Sequence, residues 1–462
     1  MPRWRTLAAC GATLFLCAPG HAQDDLDDIL GGFDDLEEAP APSADEPDSR
    51  LPAWLDASGS ISLGAAYGLV PHRTAARPRG KSYQGPNRLR AKLALELDLE
   101  LPHAWEARVS GFGFWDAIYL LRDREEYDSD ALRVHERDLE LQEAWVRGSL
   151  HEQVDLKVGR QVLNWGRSDT LRVIDVINPL DNRDPLLVDI EDLRRPVGMV
   201  RLDTFFGDWT LTGLLIPEVR NDRLPGYGND FVPSPTPLPL TRAPDRFGDD
   251  PEFGGALSGV FRGWDLSFHA LRYWTNAPRL DFIPGVVPAP PPLRLVHDRR
   301  TLVGAGGNLT LGNWLLKSEL AWIDGVRFAV AEESERFDAM GGVEYYGFED
   351  VVIALEVVNR HLVDWELAAK RAPDFAEEDA LETALRVSAD LMNARLHLLG
   401  LGIVFGERGQ NGIAARVQAT YDLRDALALT GGALVFVRGK SPAVVNDWGD
   451  NDRLFVELKW SF

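Results

Sequence analysis

Leu89-Arg90-Ala91-Lys92-Leu93-Ala94-Leu95-Glu96-Leu97-Asp98-Leu99-Glu100-Leu101 carries an apolar residue at every odd position and, Ala94 apart, a charge at every even one. A helix would scatter those leucines around its circumference, whereas an extended strand gathers them on one face. The same period of two returns at Val351, Ile353, Leu355, Val357; at Leu385, Val387, Ala389, Leu391; and at Ala415, Val417, Ala419, Tyr421. It closes the chain, where Leu454, Val456, Leu458, Trp460 and Phe462 face one way and Arg453, Glu457 and Lys459 the other.

Eighteen such segments lie between residues 57 and 462, among them 104–119 and 153–164. Short turns such as Pro102-His103, Gly207-Asp208 and Arg424-Asp425 alternate with long polar connections such as 217–252 and 275–298. An even number of strands with short turns at one end and long loops at the other is the plan of a transmembrane antiparallel up-and-down β-barrel. Strands of about eleven residues, rising about 3.3 Å each and tilted by about 40°, match a thin apolar band. A soluble β-sandwich or propeller also alternates, but it hides its apolar face in a core of bulky residues. Here that face mixes Leu and Val with many Ala and Gly, which lipid tolerates and a packed core does not. The final strand, ending on the aromatic Phe462, resembles the recognition strand by which Gram-negative outer-membrane proteins engage the barrel-assembly machinery.

The start of the chain supplies an address. Arg3 and Arg5 precede an apolar stretch from Leu7 to Ala18, and Pro19, Gly20, His21 and Ala22 follow it, so residues 1–22 read as a secretory signal peptide. Both cysteines, Cys10 and Cys17, fall inside it, which leaves the exported chain without thiol chemistry. Residues 23–56 form an acidic periplasmic leader, with eleven carboxylates and no Lys or Arg between 24 and 49. Leu26, Ile29, Leu30, Phe33 and Leu36 recur at helical spacing, so 24–49 is either a solvated tail or a short amphipathic helix that docks on a periplasmic partner. A net charge of −23 argues against nucleic acid as a partner. Outer-membrane lipid is the expected surrounding of 57–462.

If the odd residues of 89–101 face lipid, the even ones face the lumen. The alternation assigns to the lumen Arg88, Arg90, Lys92, Glu96, Asp98, Arg108, Lys317, Glu319, Glu344, Glu356, Arg386, Asp390, Arg416, Glu457 and Lys459. Charges of both signs on facing walls keep a passage wet and suit polar solutes. Arg160 breaks the rule: alternation from Val154, Leu156 and Val158 aims it at lipid, where a charge costs about 2–4 kcal/mol at mid-height. A bulge at Gly159 would turn it inward, a subunit interface that covers it would serve equally well, and a second register break is expected between Leu141 and Ala144.

The connection after the fifth strand, 165–196, is too apolar for a free loop, with Leu171, Val173, Ile174, Val176, Ile177, Leu186 and Leu187 among its residues. It is expected to fold into the barrel as a constriction, the alternative being an extracellular cap that packs on other loops. Arg160, Gln161, Trp165, Asp169, Arg172, Asp175, Asp181, Arg183, Asp184, Asp189, Glu191, Asp192, Arg194 and Arg195 would line that narrowest section.

Gly159-Arg160-Gln161, Trp165-Gly166, Val176-Ile177-Asn178-Pro179-Leu180-Asp181 and Leu193-Arg194-Arg195-Pro196 resemble the motifs of a family of Gram-negative outer-membrane barrels grouped as DUF1302. The resemblance implies an outer-membrane conduit, one that could work with an inner-membrane transporter of the resistance-nodulation-division type. Two functions follow: a porin-like channel for small polar solutes, and an export component that hands a lipid or polymer to the outer leaflet. A hydrolase is a third class, but His135, His269, His297, His361 and His397 are scattered without the spacing of a nucleophile and base or of a metal cluster. No enzyme activity, cofactor or metal is expected.

Overall fold

The computed structural model describes residues 52–71, 82–187, 193–232, 234, 236–241, 247–283, 292–440 and 444–462. The signal peptide and nearly all of the acidic leader lie outside the described residues. The barrel strands, in chain order, are β1 Leu55–Gly68, β2 Gly85–Leu101, β3 Trp105–Asp116, β4 Arg137–His151, β5 Val154–Gln161 and β6 Val197–Phe206. They continue with β7 Trp209–Ile216, β8 Glu252–Phe261, β9 Trp264–Trp274, β10 Arg299–Leu311, β11 Trp314–Val326 and β12 Ser334–Phe348. The last six are β13 Val351–Leu362, β14 Asp379–Leu391, β15 Leu396–Phe405, β16 Ile413–Arg424, β17 Leu427–Val437 and β18 Arg453–Ser461.

Each strand pairs antiparallel with its chain neighbours, and β1 pairs with β18 as well as β2, from Ser60 opposite Ser461 to Gly68 opposite Arg453. The eighteen strands therefore form a ring with no free edge, which satisfies backbone groups where no water reaches. The odd residues of β2 face outward as the alternation requires: Leu93 is 44% and Leu95 48% exposed, as are the outward columns through Leu63, Leu320, Leu385, Val417 and Leu458. So much apolar area facing water would oppose folding at about 25 cal/mol per Å², and hydrocarbon removes that cost.

Two strands end earlier than their periodicity predicts. The stretch 104–119 stops being a strand at Asp116, whose Oδ1 accepts the backbone N–H groups of Leu89 at 2.8 Å and Ile118 at 3.2 Å and so turns the chain into short helices at Ile118–Leu121 and Ser129–His135. The stretch 153–164 stops at Gln161, because the next donors go to side chains: Val162 N–H to Glu143 Oε1 at 3.1 Å and Leu163 N–H to Asn178 Oδ1 at 2.8 Å. Outside the ring, Leu240–Thr241, Arg279–Phe282 and Leu293–Val296 make a small three-stranded sheet that the alternation did not reveal.

The register break on β4 is present: Val109 pairs with Ala144 and Gly111 with Leu141, so Ser110 alone faces Gln142 and Glu143. Gly159 is also distorted, with φ 129°, and a Cβ there would lie 2.2 Å from the Ala144 carbonyl oxygen. Yet it does not shift the register. Val158 pairs with Val200, Gly159 with Met199 and Arg160 with Gly198 in unbroken order. The expectation that a bulge turns Arg160 inward is thus corrected. Arg160 keeps the outward parity of Val158 and Val146, and the loop that follows β7 meets its charge: Nε donates to Glu218 Oε2 at 3.1 Å, Nη2 to Glu218 Oε1, and Nη1 to the Leu141 carbonyl at 3.2 Å.

Candidate functional site

The segment from Trp165 to Leu187 runs from the end of β5 across the ring. Its backbone is fastened to two carboxylates that project inward from the middle of distant strands. Glu319 on β11 accepts the N–H groups of Arg167, Ser168 (2.9 Å) and Ile174 (2.9 Å). Glu356 on β13 accepts those of Asp169 (2.7 Å), Thr170 (3.0 Å) and Leu171 (2.9 Å), together with the Ser168 hydroxyl (2.9 Å). A segment without regular structure has no ladder to take its N–H groups, and these two wall residues supply the acceptors. Farther around, Arg360 Nη2 donates to the Arg172 carbonyl (3.1 Å) and Arg416 Nη1 to the Leu186 carbonyl (2.8 Å). Lys317 and Arg386, the latter on β14 diametrically opposite β5, hold Asp169 at 2.8 and 3.4 Å. A chain touching β2, β11, β13, β14 and β16 at once lies within the ring.

One side of the segment is apolar and meets an apolar wall. Leu171, Val173, Ile174 and Ile177 pack with the inward Met199, Ile216, Leu302, Ile323, Val358, Ile403 and Leu434. Gly304 lies beneath, where a Cβ would come within 3.1 Å of Ile174. The inner wall from β6 to β17 is mixed: its apolar residues form a core under the segment, beside the buried charges that fasten it. Glu319 and Glu356, assigned to a wet lumen, are buried as anchors, and Glu344 is buried against Lys317.

The other side is charged. Asp184 receives Arg90 (2.7 Å), His135 Nδ1 (3.3 Å) and Arg88 (3.8 Å). Burial pushes its carboxyl up, but Arg90, His135 and Arg88 together hold it well below the ordinary range. Asp175 lies between Arg172 and Arg194, both at 3.1 Å, and they keep it ionised against its burial. Arg183 joins Asp181 (2.6 Å) and Asp138 (2.7 Å). Arg195 reaches Glu140 at 3.0 Å, where Arg220 and Arg223 also converge. Sequence reasoning missed Asp116, His135, Asp138, Glu140, Arg220, Asp222 and Arg223. They come from strand ends and from other loops, and only the fold brings them to this segment.

Between this charged side and the wall of β18, β1, β2 and β3 lies a recess lined by Ser62, Arg88, Arg90, Lys92, Phe112, Phe114, Asp181, Arg183, Asp184 and Glu457. Arg90 lies 4.1 Å and Arg183 4.9 Å from the Phe114 ring centre, and Lys92 5.0 Å from that of Phe112, so the aromatic faces hold the cations extended along the wall. Toward the short turns, Arg108 meets Asp98 (2.7 Å) and Glu96 (3.2 Å), and Asp390 meets His397 (2.6 Å), all partly exposed. Lys459 shares the inward parity of Glu457 on β18.

Of the residues expected at a constriction, Asp169, Arg172, Asp175, Asp181, Arg183 and Asp184 are gathered in the inward segment, and Arg194 and Arg195 lie beyond it, paired with Asp175 and Glu140. Gln161 is buried before the segment's start, and Trp165 lies against His269 with the ring centres 5.0 Å apart and the planes tilted by 57°. Arg160 is not among them, and Asp189, Glu191 and Asp192 lie outside the described residues.

Among curated proteins no sequence matches this chain. Solved structures do: OccAB3 of Acinetobacter baumannii has a TM-score of 0.50 and 11% identity, covering 88% of this chain and 99% of that one. OccAB2 of the same organism also has a TM-score of 0.50 and 11% identity, covering 88% and 98%. At that identity the likeness is one of fold, a closed eighteen-stranded barrel. The family described as protein of unknown function (DUF1302) matches residues 86–462, and the chain belongs to it.

Proposed function

We propose that the protein is a porin-like channel of the outer membrane of a Gram-negative bacterium, passing small polar solutes through a lumen narrowed by the segment 165–187. One observation carries this reading: an internal segment is stapled by buried carboxylates to one side of the ring and leaves a charged, aromatic-backed recess on the other. The outward apolar columns suit lipid around it, and the strand ending at Phe462 would serve as its handle for the barrel-assembly machinery. Residues 24–49 would meet any periplasmic partner. The chain acts as a conduit and not as an enzyme.

Planar-bilayer recording of the refolded barrel is the test. Stepwise ion conductance is expected, and a variant with 166–187 replaced by a short Gly/Ser linker should conduct several-fold more. A correctly folded barrel that passes no current in either form would rule the reading out.

A further inference from the structure

The mouth opposite the short turns is spanned by a second segment, 217–232, between β7 and β8. From β7 it crosses to two neighbouring stretches of the ring that flank β1. At the β17–β18 side, Arg453 Nη2 donates to Asp230 (2.8 Å), Asn451 Nδ2 to the Asp230 carbonyl (3.0 Å) and Trp448 Nε1 to the Phe231 carbonyl (2.9 Å). At the β2–β4 side, Tyr83 donates its hydroxyl to the Gly228 carbonyl (2.9 Å), and Gly226 N–H donates to His135 Nε2 (3.1 Å).

His135 is 1% exposed and joins both loops, because its other nitrogen, Nδ1, faces Asp184 of the inward segment at 3.3 Å. The two contacts fix the tautomer of the neutral ring: Nε2 must carry the lone pair that takes the Gly226 N–H, and Nδ1 the proton that faces the carboxylate. A second proton can enter only at Nε2. It would then point at the Gly226 N–H, donor against donor, and that contact is lost. We infer that His135 is a proton-operated latch: neutral, it ties Gly226 of the outer segment to the inward one, and protonated, it gives up that tie and loosens the segment, which the contacts at Gly228, Asp230 and Phe231 still fasten.

The charges around the ring act in both directions. Asp184 favours the imidazolium. Arg90, which donates to Asp184 and through Nη2 to the His135 carbonyl (3.4 Å), opposes it, as do Arg88 beside Asp184 and Arg183, whose Nη1 reaches the Val134 carbonyl at 3.5 Å. Asp116 neutralises Arg90 from β3, and Asp130, on the helix of His135 itself, is turned to the Tyr227 N–H. The latch rests on the channel reading only for its effect on current, since the movement itself is measurable without conduction.

Hydrogen exchange by mass spectrometry on the refolded full chain, corrected for the intrinsic pH dependence, reads 226–232 directly. Between pH 7.5 and pH 5 the wild type is expected to lose about tenfold protection there, the worth of one backbone hydrogen bond. His135→Gln keeps an acceptor and a donor but does not titrate, and should stay protected at both values. Equal protection of the wild type at pH 7.5 and pH 5 overturns the proposal even if the variant does not fold. So does the same loss in His135→Gln. A barrel that shows the exchange change but never conducts would overturn the channel reading and leave the latch standing.

Discussion

Glu356 Oε1 accepts the backbone N–H of Asp169 at 2.7 Å, although 187 residues separate the two along the chain. Removing that carboxylate takes the acceptor from the N–H groups of Asp169 and Thr170 and from the Ser168 hydroxyl, each costing about 1–3 kcal/mol if unmet, while Leu171 N–H keeps Ser168 Oγ at 2.8 Å. Glu356→Ala should therefore free the segment 168–171 and give larger, noisier single-channel currents. Glu356→Gln, with one acceptor oxygen left, should lie between the variant and the wild type. Equal currents in all three would show that the segment does not depend on this anchor.

Gly159 at φ 129° sits where a Cβ would run into the Ala144 carbonyl and Trp145 Cα. Gly159→Ala should cost about 1–3 kcal/mol in backbone strain, plus the displacement of β4, and lower the temperature at which the folded barrel loses its faster electrophoretic mobility. Gly213→Ala, where an added Cβ meets nothing, is the control and should leave that temperature unchanged.

Arg160 and Glu218 neutralise each other on the outward-parity side of β5. Among the described residues, Arg160→Leu leaves Glu218 with only the Gly198 N–H at 2.7 Å, and it should lower urea resistance in vesicles by about 1–3 kcal/mol. Restoring charge balance with Glu218→Gln should recover most of it. A double variant no better than the single one would show that the pair does not act as a unit.

Asp222, in the loop over the mouth, accepts the Leu180 N–H at 2.7 Å, and burial pushes its carboxyl up to about 6. Its folded value exceeds that of the unfolded chain, so the contribution to stability is present below about pH 4 and is lost as pH rises through about 6. Asp222→Asn keeps the acceptor without the charge. At pH 7.5 it should strengthen the 180–182 and 222–223 contact by up to roughly 3 kcal/mol, read as slower hydrogen exchange. The gain should vanish at pH 4.

The period of two in Leu89–Leu101 and its repeats fixed the ring and its eighteen members, because lipid on one side and polar surroundings on the other act residue by residue along each strand. The apolar content of 165–187 likewise announced a loop that must fold against something. What alternation could not supply was the partner. Leu302, Ile323, Val358 and Ile403 occupy inward positions like any others, and only the closed barrel shows that the segment covers them. Glu319 and Glu356 read as wall charges until the crossing chain brings its N–H groups to them. His135, Asp138 and Glu140 acquire their roles from loops that are distant in sequence and adjacent across the mouth. Strand periodicity is local physics and is written in the sequence. The pairing of buried charges and donors depends on which walls the ring brings face to face, and only the tertiary structure decides that.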